Sequence, residues 1–377
     1  MEKKALIWAL RQGFSAEEMP FSNISWENVL LLARHHKVSG LCYYGLKQQG
    51  EVLSHLPQGV RDGFLQDYRK TLHQGIQWES LQQDITTALQ KAKIPYAFLK
   101  GACIRDVYPV KELRSMCDMD LLVLPQDHER LTEAFCAMGA VEERGDGNHY
   151  NYRFPNGLCI ECHPNLMHPG EVGSDILNPG WQFVQEGSTA LTAEGLYLHA
   201  LCHLAGHLLS GGAGVRFVLD LWLLSRSWAG ESPYEAGIAT LGLTEFHRNI
   251  LALGEYWFGA GEQTDTLEEL ADYIFTSGSH GFAQRAALNA VSVAGSQKNA
   301  FLKRVFCPRE ALEARFSWVR GRPLLLPMAW LSRCALVLTS RRKELSAWQK
   351  QSGKISQGDA SLQREKLVRF GLMKEEA

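Results

Sequence analysis

Two acidic side chains, Asp118 and Asp120, stand two residues apart at the start of the short apolar segment 119–124. In a β-strand alternate side chains share a face, so both carboxylates are expected on one side and Met119 in the core. Carboxylates held this close repel each other, and burial increases the cost of keeping both ionised. A divalent cation that prefers oxygen ligands, such as Mg²⁺, removes this conflict. The spacing favours a metal site, although an isolated acid-x-acid pair also occurs in solvated turns.

A third acidic residue, Glu161, occurs in the alternating segment 158–163, whose sequence is LCIECH. Here Ile160 is expected to face the core and Glu161 the opposite side. If this strand lies near the first one, three carboxylates converge. Such a cluster can hold two metal ions that stabilise in-line displacement at phosphorus. Taken alone, a glutamate at this position is also typical of an exposed strand surface.

The dipeptide Lys100-Gly101 lies where an apolar strand is predicted to pass into a helix. Glycine lets the backbone approach a phosphate closely, and the free amides and dipole of a helix start favour an anion. Lys100 adds a positive charge that suits phosphate. Arg114, four residues before Asp118, is a second candidate for phosphate contact. A helix start without a ligand explains Gly101 equally well.

The elements that must position these residues divide the chain into four regions. Residues 1–91 are predicted to be helical, 92–185 to form a small α/β core, 186–340 to form a helical domain and 341–377 to be a basic, polar tail. Within the core, Asn156-Gly157 between two alternating segments is a strong signal for a β-hairpin turn. The expected fold class is therefore α+β, with helical regions before and after the core.

Composition argues against several classes of partner. The 377 residues carry a formal net charge of −2, so no global attraction to nucleic acid or to an anionic membrane is expected. A nucleic-acid partner would need a local basic patch. The charged N-terminus lacks a secretory signal and the nine cysteines suggest no disulfide framework, which predicts a cytoplasmic protein. The apolar run 324–339 contains Arg333, so we expect a buried amphipathic helix and no membrane span.

Two further clusters have the spacing of metal ligands. Cys159 and Cys162 are three residues apart, but a structural zinc site needs four ligands and the sequence has no second such pair, so zinc is not favoured. His199, His203 and His207 recur every four residues on one predicted helix face. Without the glutamate of a zincin motif, they are expected to form a packed or hydrogen-bonded ladder.

Three stretches of the core together resemble a known superfamily. They are 98–109 (FLKGACIRDVYP), 114–123 (RSMCDMDLLV) and 160–163 (IECH). They resemble the nucleotidyltransferase superfamily that includes DNA polymerase β. More closely, they resemble a bacterial family known mainly as uncharacterised nucleotidyltransferase.

The likeness extends over nearly the whole chain. His203, the glycine-rich segment 211–216 and Asp220 resemble the helical segment of that family, and 326–333 resembles its C-terminal part. The resemblance makes His203 a candidate wall residue of the site, and His163 is a further candidate on the acceptor side. Arg216 and Asp220 either pair with each other or frame the acceptor pocket.

The resemblance implies a small mixed sheet with flanking helices, and a transferase activity. The implied reaction uses Mg²⁺, or Mn²⁺, and moves a nucleoside monophosphate from a nucleoside triphosphate to a hydroxyl-bearing acceptor, with release of pyrophosphate. The acceptor would be a small molecule, a sugar or a protein. Asp118 and Asp120 match the paired metal carboxylates of the superfamily. Glu161 matches the third, which commonly helps to activate the acceptor hydroxyl.

One residue departs from the superfamily pattern. Gly101 is followed by Ala102, where serine or a second glycine is usual, so a hydroxyl contact to phosphate is missing. Two alternatives stand beside an active transferase, and the missing contact supports only the first of them. The first is a non-catalytic protein that binds a nucleotide or a partner on the same fold. The second is a component of a toxin–antitoxin system that modifies a protein or tRNA.

Overall fold

The fold is a mixed sheet that lies, along the chain, between two helical regions. The computed structural model describes residues 1–15, 18–20, 22–143, 149–228, 232–278, 282–307, 309–319, 321–340 and 342–375. Within these residues there is one five-stranded sheet, preceded and followed by helices. The expected α+β class is confirmed.

The N-terminal region is helical, as predicted. Its helices are α1 (Glu2–Arg11), α2 (Trp26–His35), α3 (Ser39–Gln48), α4 (Gly50–His55) and α5 (Gln58–Lys91). In the second half of α5, the buried residues are three or four positions apart and form an apolar stripe along one face of the helix: Trp78, Leu81, Ile85 and Leu89. This stripe joins the apolar core on one face of the sheet, and the opposite face, here called the polar face, carries Asp120, Glu161 and His163 beside the buried Leu122.

The sheet consists of β1 (Tyr96–Phe98), β2 (Met119–Val123), β3 (Val141–Glu143), β4 (Tyr150–Arg153) and β5 (Cys159–His163), in the spatial order β1-β2-β5-β4-β3. Neighbouring strands are antiparallel except for β2 and β5, which are parallel. The connections contain α6 (Gly101–Ile104) and α7 (His128–Ala137), and α8 (Ser174–Leu177) follows the sheet. Met119, Leu121 and Ile160 point into the core shared with α5 and α7.

The predicted hairpin turn is confirmed between β4 and β5. Gly157 has a φ of +83°, and Asn156 Oδ1 accepts a hydrogen bond from the Leu158 amide at 3.1 Å. The Phe154 amide donates to the Leu158 carbonyl at 2.9 Å, which encloses a three-residue loop, 155–157. The length of this loop sets the register of the two strands.

The C-terminal region is helical as well. Its helices are α9 (Ala193–Ser210), α10 (Val215–Ser227), α11 (Glu235–Leu241), α12 (Thr244–Phe258), α13 (Asp265–Phe275), α14 (Ala283–Ala294), α15 (Gln297–Val305), α16 (Arg309–Arg315), α17 (Leu326–Ser340), α18 (Arg342–Ser352) and α19 (Gln357–Arg369). Thr192 caps α9, because its side chain accepts a hydrogen bond from the Gly195 amide. Side chains of α9 and α10 face the polar side of the sheet.

The last part of the chain is more ordered than its composition suggests. The run 324–339 contributes α17, in which Ala329 is buried but Leu331 is 70% exposed, so the expectation of a buried helix holds only in part. Of the helices described, none is long and apolar enough to cross a bilayer. The region predicted to be a polar tail contains α18 and α19, and it buries Leu367 and Phe370 completely. Its first residue, Arg341, lies outside the described residues.

A buried histidine joins the two helical regions. His36 follows α2, and its Nδ1 accepts a hydrogen bond from the Val215 amide at 3.4 Å. Its ring packs edge-on against Phe275. Burial lowers the pKa of His36 to about 4. The fold therefore stabilises the neutral form of this side chain.

We expect acid to weaken the fold through His36. Between a native pKa of about 4 and the ordinary value of 6.5, the unfolded chain binds a proton at His36 that the native chain does not, so stability rises with pH across this window. Acidification from about pH 7.5 to about pH 5 should cost about 2 kcal/mol at this residue. Urea unfolding of the wild type and of His36→Asn at both pH values measures this loss.

The variant serves as its own control for packing. His36→Asn should be less stable than the wild type near neutral pH, because it loses ring contacts. It should nevertheless lose about 2 kcal/mol less than the wild type on acidification. An equal loss in both proteins would contradict the role assigned to His36.

Candidate active site

The parallel strand pair β2–β5 places the acidic residues side by side. Asp120 is the Cα partner of Glu161, and Leu122 is the partner of His163. Because alternate residues of a strand share a face, Asp120, Glu161 and His163 project from the polar face. Asp118 stands immediately before β2, two residues before Asp120. The carboxylates therefore lie on one face, as the alternation predicts, with His163 among them.

Asp120 is the most enclosed of these carboxylates. Its side chain is 7% exposed, and Oδ1 lies 2.8 Å from both Lys100 Nζ and His163 Nε2. Burial alone would raise the pKa of Asp120, but the Lys100 ammonium and the hydrogen bond with His163 hold it well below its usual range. Burial also lowers the pKa of Lys100, yet the pairing with Asp120 outweighs this effect and leaves it raised. Asp120 and Lys100 thus form a buried pair in which both groups keep their charge.

The negative charges of Asp118 and Glu161 are less completely balanced by neighbouring cations. Burial raises the pKa of both carboxyls, and repulsion among the three acids raises them further. The ligand atoms of Asp120, Glu161 and His163 lie within 4.8 Å of one another. Asp118, just before β2, is not part of this set, but its negative charge raises the pKa of Glu161. A cation would remove the repulsion, and oxygen ligands suit Mg²⁺. The residues present therefore fit a divalent metal ion.

Arg114 and Asp220 form a second buried ion pair, which connects the core to α10. Arg114 donates from Nε to Asp220 Oδ1 at 2.9 Å and from Nη2 to Oδ2 at 2.7 Å. The Tyr108 hydroxyl also donates to Oδ1, at 2.6 Å. Arg114, expected to contact phosphate, is thus engaged by a carboxylate of the protein. Asp220 does not pair with Arg216 as one expectation had it, because Arg216 donates to the carbonyl and hydroxyl of Ser115.

Gly101 allows two side chains to approach the backbone. A Cβ at this position would lie 2.5 Å from Arg114 Nη1 and 2.7 Å from Met116 Sδ, closer than such atoms can come. The helix that begins here, α6, has only four residues, so the expected contribution of a helix dipole to anion binding is small. Lys100 has a φ of +43°, a conformation that residues with side chains rarely adopt. With this backbone, its ammonium reaches Asp120.

A cavity of about 450 Å³ lies between the polar face of the sheet and the helices α9 and α10. The carboxylates and Lys100 form its sheet wall, and side chains of α9 and α10 form the opposite wall. The lining includes every residue predicted for the transferase site: Lys100, Gly101, Arg114, Asp118, Asp120, Glu161, His163, His203, Arg216 and Asp220. Folding therefore brings together residues that are up to 120 positions apart in the sequence.

The predicted histidine ladder is confirmed on the helix wall. His203 and His207 share a hydrogen bond between their Nε2 atoms, 3.1 Å long. His199, one turn earlier in α9, is fully buried, and burial lowers its pKa to about 3. Burial also holds the pKa of His203 well below its usual range. His199 and His203 are therefore neutral at physiological pH.

Comparison with known proteins places this arrangement in a family. A family model described as uncharacterised nucleotidyltransferase matches residues 22–259. The chain belongs to this family. The matched range contains the whole sheet and every residue that the sequence singled out for the site, and membership supports a general role in nucleotidyl transfer. The segment 326–333, which was also expected to resemble the family, lies outside the matched range. No curated protein and no solved structure matches the chain.

Two histidines beside the carboxylates were not predicted from the sequence. His149 precedes β4, and His168 follows β5 and lines the cavity. A signal for His149 exists, because Tyr150 pairs with Cys162 and the same register continued by one residue places His149 opposite His163. This register can be predicted only if the length of the hairpin loop is known. His168 lies in a loop, where no alternation of side chains predicts its position.

Loss of the Asp220 carboxylate should destabilise this family member strongly. Asp220→Asn leaves the Arg114 guanidinium buried without its counter-charge, which costs about 3–5 kcal/mol. The exposed pair of Lys3 and Asp272 provides a matched control, since its carboxylate is 72% exposed. Asp272→Asn should cost less than about 1 kcal/mol. Urea denaturation of the three proteins makes the comparison, and equally small losses for both variants would refute the structural role of the Arg114–Asp220 pair.

A methyl group at Gly101 should also be costly, because it displaces Arg114 and Met116. We expect Gly101→Ala to lower the free energy of unfolding by about 1–3 kcal/mol. Gly206 also lines the cavity, but a Cβ there meets nothing within 4 Å. Gly206→Ala in α9 should therefore be neutral or should stabilise by up to about 1 kcal/mol. Thermal unfolding tests this contrast, and a Gly101→Ala protein as stable as the wild type would contradict it.

Proposed function

We propose that this family member transfers a nucleoside monophosphate from a nucleoside triphosphate to a hydroxyl group of an acceptor, with Mg²⁺ or Mn²⁺, and releases pyrophosphate. The observation that supports this most is the position of Asp118, Asp120 and Glu161 on one wall of a cavity that also holds Lys100 and Arg216. Carboxylates suit the metal, and the two cations suit the phosphates. Family membership makes the same reaction class the first candidate.

The three carboxylates are assigned to metal binding. Asp118, Asp120 and Glu161 would hold the ion, while His163 keeps Asp120 in place through the bond at 2.8 Å. When bound, the divalent cation neutralises phosphate charge and polarises the phosphoryl group. Burial, and next to it repulsion among the acids, raises the pKa of Asp118 and Glu161, and a cation would relieve this repulsion, which supports the assignment.

Lys100 and Arg216 are assigned to the triphosphate. An ammonium group has three donors, and the bond to Asp120 uses one of them. Arg216 Nε is buried and has no hydrogen-bond partner among the described residues. A buried donor of this kind, in a cavity lined by other polar groups, suits an anionic ligand. Lys100 would contact the phosphates from the sheet wall, and Arg216 would contact them from the helix wall.

Glu161 is assigned to the acceptor hydroxyl. Its side chain is 30% exposed, against 7% for Asp120, so it is the more accessible carboxylate from the cavity. In the proposed step, the acceptor oxygen forms a bond to the α-phosphorus while the bond from that phosphorus to the α–β bridging oxygen breaks. Pyrophosphate leaves, and the hydroxyl proton passes to Glu161 and then to solvent. Holding the reactants in line supplies much of the rate enhancement of such a transfer.

The helix wall is assigned to recognition of the acceptor. It presents His203, His207 and Phe217 to the cavity, next to Arg216. A volume of about 450 Å³ is that of a small-molecule site. In this proposal, the core 92–185 carries the chemistry and the helical domain 186–340 selects the acceptor. A cytoplasmic location, where nucleoside triphosphates are available, belongs to the same proposal.

Transfer of label from α-labelled ATP, GTP, CTP and UTP tests the proposed function. The wild type, with Mg²⁺ or Mn²⁺ and host lysate as the source of acceptor, should move label to a lysate component. A chelator should abolish this transfer, and added metal should restore it. Asp118→Asn and Asp120→Asn should each lower the rate by about a hundredfold or more, which corresponds to about 2.7 kcal/mol in the barrier.

The matched control is Glu142→Gln, because Glu142 is an exposed carboxylate on β3 that contacts His128 and not the cavity. It should transfer label like the wild type. Label transfer that survives loss of Asp118 and Asp120 would refute the assignment. Stabilisation by a triphosphate without transfer would favour a non-catalytic binding protein. Growth arrest on expression, abolished by Asp118→Asn, would favour a toxin–antitoxin component.

A further inference from the structure

Three histidines cluster beside the carboxylates of the site. His149 precedes β4, His163 is the last residue of β5, and His168 lies in the loop after it. Their ring centroids are 5.3, 5.9 and 6.0 Å apart. One ligand atom from each ring lies within 4.8 Å of the other two. Three imidazoles at these distances form a potential ligand set distinct from the oxygen ligands that suit Mg²⁺.

Glu161 extends this cluster on its acidic side. Its Oε2 lies 3.9 Å from His149 Nε2 and 3.7 Å from His163 Nε2. The nearby Asp120 carboxylate already contacts His163. An anion in this position would meet two carboxylates, so the surroundings favour a cation. His168 also lines the cavity, which gives an ion a route to the cluster from solvent.

We propose that His149, His163 and His168, together with Glu161, form a binding site for a divalent transition metal of the class of Zn²⁺ or Co²⁺. Imidazole ligands suit these ions, whereas Mg²⁺ prefers oxygen. His149 and His168 lie outside the strands, and their rings are already within 6 Å of each other and 5.3 and 6.0 Å from that of His163. His163 is buried and its Nε2 is held by Asp120 at 2.8 Å, so His163 would bind the ion through Nδ1 as the rigid part of the site. The site shares Glu161 and His163 with the proposed transferase site, but Asp118 takes no part in it and metal binding needs no transfer reaction.

Cobalt provides a direct readout, because Co²⁺ bound by imidazoles absorbs visible light. Metal-stripped full-length protein should bind Co²⁺ saturably with such a spectrum, and Zn²⁺ should displace it, while excess Mg²⁺ should not. His149→Gln/His168→Gln should lower the affinity for Co²⁺ by roughly tenfold or more, since removal of even supporting groups around a metal costs that much. The matched control is His55→Gln, because His55 is exposed on α4 and belongs neither to the cluster nor to the cavity lining.

The outcomes separate this site from the proposed reaction. Asp118→Asn should keep the visible spectrum of histidine-bound Co²⁺ even where it has lost label transfer. Co²⁺ bound equally well by the double variant, or no saturable binding by the wild type, would overturn the metal site. If the double variant does not fold, as judged by circular dichroism, His168→Gln alone carries the same test. Histidine-dependent Co²⁺ binding in a protein that transfers no label would uphold this site and refute the proposed function.

Discussion

The repulsion among three carboxylates on one face of a sheet is the constraint around which this site is built. A buried acid keeps its charge only when neighbours compensate for it. Here the compensation for Asp120 comes from Lys100 and His163, both at 2.8 Å from one oxygen. Lys100 reaches that oxygen from a backbone conformation with φ +43°, which costs on the order of 1–3 kcal/mol. The strained backbone at Lys100 thus places its ammonium group beside the acids.

The second ion pair follows from the same constraint. Asp220 also borders the cavity and would add a fourth negative charge to it. Its bidentate bond with Arg114 neutralises that charge and ties α10 to the core. Arg216 lies one turn before Asp220 on the same face of α10, so fixing Asp220 also fixes Arg216 across the cavity from the acids. The missing side chain at Gly101 provides the space for Arg114 and thereby supports the whole connection.

The sequence predicts those parts of the site that depend on local periodicity. Alternation alone places Asp118 and Asp120 on one face, and Glu161 on the outward face of a second strand. Pairings between distant segments are beyond such reasoning: Arg114 finds Asp220 over a separation of 106 residues, through the packing of α10 against the core. For the same reason the sequence suggests a phosphate behind Gly101, whereas the structure places Arg114 and Met116 there. His149 escapes prediction because one residue in the hairpin loop decides which strand positions are opposite each other.

The departure at Ala102 has an explanation in the core. Its side chain is 2% exposed and belongs to the apolar cluster that includes Phe98 and Met119, on the side of the sheet away from the carboxylates. A hydroxyl at this position would therefore be buried among apolar groups and would not reach a phosphate in the cavity. Recognition of a triphosphate would instead fall to Lys100 and Arg216, which belong to different elements. Since Arg216 is placed by α10, phosphate binding in this fold would depend on how closely that helix is held to the sheet, and hence on the buried bond between Arg114 and Asp220.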